Sequence, residues 1–143
     1  MDIDETIPMR LRRAYLTIHR NAQEHFSQFG VTVDQYVLLS VVADEEGVIQ
    51  SEISRRMASD INTVGAMLKL LEEEKLIRRT RCPDDGRARR VYLTAKGAAM
   101  QKKLLKAAEA IHEAIDHCIS KSSKEKLLHT LDQICAEMTR PTK

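Results

Sequence analysis

The 143-residue sequence predicts a mainly α-helical chain with one small β-hairpin. Three observations predict it. Apolar residues recur at three- and four-residue steps over most of the length, which is the helical period. Aromatic residues make up 3% and tryptophan is absent, so the core must come from Leu, Ile, Val, Ala and Met, which suits helices better than a β-sandwich. In one place the period becomes two: "LIRRTR" and "RRVYLT" flank "CPDDGRA", with Asp85-Gly86 supplying turn chemistry.

The first helix is expected from about Thr6 to Phe29, on Ile7, Leu11, Tyr15, Ile18, Ala22 and Phe26. Pro8 fits its first turn, and Gly30 is the candidate C′ residue. Thr32 caps a second helix from Val33 to about Glu45, closed by Gly47. A short helix, "SEISRRM", follows with Ser51 as one possible cap. "ASD" is a tight turn, and Asp60 caps the next helix, which runs to about Glu74. Val64, Met67, Leu68 and Leu71 are its inner stripe; Asn62, Gly65, Ala66 and Lys69 fall outside. After the hairpin, Thr94 caps a long helix to about Ile119. Ser122-x-x-Glu125 is the expected capping box of the last helix.

The length suits one domain. No apolar run approaches the roughly 20 residues that span a bilayer. The acidic start "MDIDETIP" lacks the apolar segment of a signal peptide, so no membrane partner and a cytoplasmic location are expected. Cys82, Cys118 and Cys135 form neither a disulfide framework nor a zinc pattern. His19, His25, His112, His117 and His129 show no metal-ligand spacing. No nucleophile elbow, phosphate-binding glycine loop or acid pair is present, so neither catalysis nor a metal or cofactor is expected.

Net charge is +2, but its distribution is uneven. From Arg78 to Lys96 seven basic residues face two acidic ones, a net +5, and the remainder of the chain sums to −3. Concentrated basic charge is the footprint of phosphate contact. The element order there is short helix, tight turn, helix, basic hairpin: a helix-turn-helix followed by a wing. The second helix of such a unit enters the major groove, and the basic loop reaches phosphates or the minor groove. Arg87, at the turn, is the best-placed long cation, with Asp85 able to orient it. Alternation splits Arg78 from Arg79 and Arg89 from Arg90: one of each pair faces outward, and the other is free to pair internally, Arg78 or Arg79 with Glu72, Glu73 or Glu74.

Three stretches resemble the MarR family of winged-helix regulators. "GVTVDQYVLLSVV" (residues 30–42) is similar to the family's G-[LV]-T-x-x-Q-[WY]-x-[VL]-L. "QSEISRRMASDINTVGAMLKLLEEEKLIRR" (residues 50–79) resembles its helix-turn-helix, with a T-V pair and a terminal [GK]-L-[IV]-x-R. "DGRARRVYLTAKG" (residues 85–97) resembles D-x-R-x-x-x-V-x-L-T-x-x-G.

The resemblance implies a single domain over residues 1–143. Dimerisation helices lie at about 6–29 and 95–140, and the winged helix-turn-helix lobe at about 32–94. It implies a homodimer on a pseudo-palindromic operator in double-stranded DNA, acting as a repressor. By position, Asn62 and Thr63 meet the major groove, Arg87 enters the minor groove with Asp85 orienting it, and Gln50 or Ser51 faces phosphates. Arg81 and Arg89 join the DNA-facing cations. Where many members carry a second Ser or Thr and then Arg, this chain has Gly65 and Ala66. These allow close approach, or a thymine-methyl contact through Ala66, and shift readout toward Asn62, Thr63, Lys69 and DNA shape.

The resemblance also implies a small-molecule effector pocket, with Arg13, Tyr15, His19, Tyr36 and Leu39 as candidate lining. Two alternative readings stand beside DNA binding. One is a protein-interaction module whose basic wing docks an acidic partner. The other is a metal- or redox-responsive regulator using Cys118 or Cys82.

Overall fold

A computed structural model describes residues 1–81 and 89–140. The chain forms two compact units, Met1–Ala108 and Glu109–Lys143. The first unit opens with a 3-10 turn (Ile3–Glu5), α1 (Ile7–Ser27) and α2 (Val33–Asp44). Then come β1 (Val48–Ile49), α3 (Gln50–Arg56), α4 (Ile61–Glu73), β2 (Ile77–Arg81) and β3 (Arg89–Leu93). Helix α5 (Ala95–His117) crosses the division, and α6 (Lys121–Met138) lies in the second unit.

The helix starts follow local capping chemistry. Thr6 accepts from the Met9 amide, with Pro8 in the first turn. Thr32 and Gln35 form a reciprocal capping box. The Thr94 hydroxyl accepts from the Gly97 amide at 2.9 Å. Two starts differ from expectation. Helix α3 leaves β1 directly, so Ile49 holds the cap position without a side-chain bond, and Ser51 sits inside the first turn. Helix α6 begins right after Ser120, whose hydroxyl accepts from the Ser123 amide at 3.2 Å. Ser122 is therefore helical, and its spacing to Glu125 is no capping box.

Two helix ends depart from the usual glycine stop. Both α3 and α4 close in full Schellman motifs with non-glycine residues in the left-handed region, Ala58 (φ 51°) and Lys75 (φ 62°). The amides of Ala58 and Ser59 bond back to the carbonyls of Arg55 and Ser54. Those of Lys75 and Leu76 bond back to Glu72 and Leu71. Gly30 does have positive φ (70°), but α1 stops at Ser27, so it lies one position beyond the expected C′.

The sheet is antiparallel in the order β1-β3-β2. The hairpin strands match expectation; β1 is additional, because two residues carry no period. It pairs Val48 with Val91 and Ile49 with Arg90. The core joins α2, α3, α4 and the sheet through Leu38, Leu39, Val42, Ile53, Val64, Leu68, Leu71 and Val91, all wholly buried, with Ile77 nearly so. Gly97 marks the tightest approach: a Cβ there would lie 1.8 Å from the Leu76 carbonyl oxygen. Thr94 and Lys96 also donate to the carbonyls of Lys75 and Glu74, so the start of α5 is locked to the turn after α4.

Candidate nucleic-acid interface

Helix α4 begins where Asp60 accepts from the Thr63 amide at 2.8 Å and from the Thr63 hydroxyl at 2.7 Å. These bonds, the hydroxyl first, hold the Asp60 carboxyl below the usual carboxylate range. The Thr63 hydroxyl has spent its proton, so it shows a ligand only lone pairs and a methyl group. Of the expected outer stripe, Asn62, Ala66 and Lys69 are exposed and Gly65 is half-buried; Thr63 is exposed as well.

Gly65 is the unusual residue of this face, since glycine inside a helix costs about 1 kcal/mol relative to alanine. A Cβ at Gly65 would lie 3.0 Å from Nε2 of Gln50. That nitrogen donates to the Ile61 carbonyl at 3.2 Å. Gln50 thus crosses from α3 onto the bare backbone of α4. Ser51 beside it is exposed. Ile61, the first residue of α4, is 53% exposed and was not singled out from sequence. Its apolar side chain on an outer face was the available signal.

The wing arginines separate by strand face. Arg78 lies over the Tyr92 ring, 4.3 Å from its centroid. Arg79 pairs with Glu72 through two hydrogen bonds, the shorter 3.0 Å. Arg79 first, against a desolvation cost, holds the Glu72 carboxyl below its usual range. Arg90 donates to the Gly47 carbonyl at 3.1 Å. Three of the arginines thus have internal partners. Arg81 and Arg89 are exposed cross-strand neighbours, the last pair of the β2–β3 ladder. Like charges directly opposite destabilise a strand pair, and a bound anion relieves the repulsion. Asp85, Arg87 and Cys82 lie outside the described residues.

The candidate effector residues fall into separate settings. Tyr15 and His19 form a tilted ring pair on α1, centroids 5.7 Å apart, with Tyr15 exposed. Arg13 pairs with Asp4. Tyr36 packs against Phe26, centroids 4.8 Å apart, and Leu39 is wholly buried in the core. Cys118 and Cys135 are exposed. Among the described residues, no cluster of three His, Cys, Asp or Glu side chains is arranged to hold a metal, and no helix is long and apolar enough to cross a membrane.

Comparison with known proteins adds four findings. The MarR family model matches residues 31–88. The transcriptional regulator HosA of Escherichia coli O111:H- is 32% identical over 114 residues, covering 76% of this chain and 82% of that protein. The solved structure of the transcriptional repressor CouR bound to a 23-mer DNA duplex superposes with TM-score 0.82 at 27% identity, over 94% of this chain and 95% of that one. A second CouR structure, from Rhodococcus jostii RHA1 and bound to p-coumaroyl-CoA, has the same fold, with TM-score 0.85 at 21% identity over 98% and 97% of the two chains.

Proposed function

The chain belongs to the MarR family of transcriptional regulators, and from that premise we propose that it represses transcription by binding a pseudo-palindromic operator as a homodimer. The observation that carries the reading is the presence of two exposed features in one compact unit. The exposed face of α4, with Asn62, Thr63, Ala66 and Lys69, accompanies the like-charged pair Arg81 and Arg89 in the same compact unit. In this reading the helix face reads base edges, and the arginines hold the backbone. Arg87, oriented by Asp85, is assigned the minor groove on the sequence motif alone.

Gel shifts on DNA from the protein's own promoter region test the reading. The complex weakens steeply with salt, because each neutralised phosphate releases counterion. Arg81→Ala and Arg89→Ala weaken binding evenly across sequences, and each flattens the salt slope by about one unit. Arg87→Ala weakens binding most at the operator. No salt-sensitive complex on any promoter fragment would sink the proposal.

Release by a small aromatic ligand is a second element, favoured by the Tyr15–His19 ring pair on α1. Tyr36 and Leu39 line such a site only if α2 moves, since Tyr36 packs on Phe26 and Leu39 is core. Titrating phenolic acids into the operator complex tests it; unchanged affinity across such a panel removes the effector.

A further inference from the structure

We infer that Gln50 reads a base rather than a phosphate, and that glycine at position 65 is what admits it to the major-groove face. The inference rests on the DNA-binding function proposed above and assigns a specificity-determining residue within it.

Gln50 opens α3, and its side chain reaches across to α4. The Ile61 carbonyl can only accept, so the atom facing it must be the amide nitrogen; chemistry settles the orientation of the group. The amide is pinned on the solvent face above the first turn of α4, the turn that carries Asn62 and Thr63. An alanine at 65 would place its Cβ 3.0 Å from that nitrogen, closer than ordinary van der Waals contact. The next residue outward, Ala66, is also small and exposed.

The amide has two N–H groups and one carbonyl oxygen. One N–H is used on Ile61; the other, and Oε1, have no partner among the described residues. One donor beside one acceptor is the complement of the adenine edge in the major groove, which offers N7 as acceptor and N6–H as donor. A phosphate offers acceptors only and would leave Oε1 without a partner. Pinning also orders the side chain before DNA arrives, which removes part of the entropic cost of contact. The two small residues, Gly65 and Ala66, therefore do not empty the interface. They hand the reading position to a residue of the preceding helix.

The test recovers bound duplexes from a random-sequence DNA pool with the purified full chain, as wild type, Gln50→Ala and Gly65→Ala. Wild type is expected to enrich a motif with an adenine at one position of each half-site. With Gln50→Ala that position relaxes while the rest of the motif stands, and discrimination for adenine there falls about 5- to 150-fold. Gly65→Ala, which favours the helix and so keeps the fold, relaxes the same position. Circular dichroism of both variants confirms the fold. An unchanged motif with Gln50→Ala, with all duplexes weakened by one factor, means a phosphate contact and overturns the inference. So does an unchanged motif with Gly65→Ala. If wild type enriches no motif, the DNA-reading function itself fails, and this inference falls with it.

Discussion

The lobe from α2 to β3 and the terminal unit Glu109–Lys143 are built on opposite principles. The lobe has wholly buried residues on α2, α3, α4 and β3, and each apolar stripe there meets another within the chain. Helix α6 carries a comparable stripe, Leu127, Leu128, Leu131, Ile134 and Met138, yet none of its residues is buried. Leu127, Leu128 and Met138 are 47%, 52% and 76% exposed. Fully burying one leucine is worth about 1.5–3 kcal/mol, so an uncovered stripe is stabilisation a single chain does not collect. A second copy can cover it symmetrically. The lobe thus covers its stripes with its own contacts, whereas the α6 stripe is left for a partner surface.

The largest test of this contrast sets Leu68→Ala against Leu128→Ala. Leu68 is wholly buried, and its truncation is expected to cost about 2–5 kcal/mol in urea unfolding. Leu128→Ala should change the stability of the single chain by about 0.5 kcal/mol or less. The paired change Leu127→Glu with Leu128→Glu should yield a folded monomer in sedimentation, and the concentration dependence of Tm should vanish. A dimer surviving that change would break the contrast.

Next in size is Gly97→Ala. Its new methyl would meet the Leu76 backbone, which cannot swing aside, and a loss of about 1–3 kcal/mol is expected. An unaltered unfolding midpoint would show that α5 is not locked to the lobe. Smaller, and of opposite sign, are Ala58→Gly and Lys75→Gly. Each relieves a left-handed residue at a Schellman end and should stabilise by up to about 1 kcal/mol in the same urea measurement.

The smallest effect is on pH. Asp60 and Glu72 have folded pKa values below their unfolded ones, through Thr63 and Arg79 respectively. Their stabilisation is present above the unfolded values of about 4, and is lost as pH falls through the lower folded values. Tm should therefore decline in acid, and Asp60→Asn should flatten part of that decline. An equally steep acid slope in Asp60→Asn would remove Asp60 as a source.

How much was legible in the residues followed the range of the interaction. Thr32, Asp60 and Thr94 cap the helices assigned to them because a cap bond spans three residues. The inner stripe of α4 was visible because the helical period is local. Where several serines compete, local pattern loses resolution: Ser120 takes the cap expected of Ser122 because α6 starts two residues earlier. The Schellman ends at Ala58 and Lys75 were invisible because the usual glycine is missing.

The helical frame, the hairpin strands, the basic wing and the family are all written in residues close along the chain, and so could be read without coordinates. Which arginines are available is a matter of packing. Arg79 is drawn to Glu72 across seven residues and Arg90 to Gly47 across 43, which leaves Arg81 and Arg89 facing each other outward. Packing also lays Gln50 over Gly65, a contact between two helices that neither helix records alone. Caps and stripes are set by bonds of three or four residues, whereas a charge or an amide chooses its partner only after packing has brought distant backbone within about 3 Å of it.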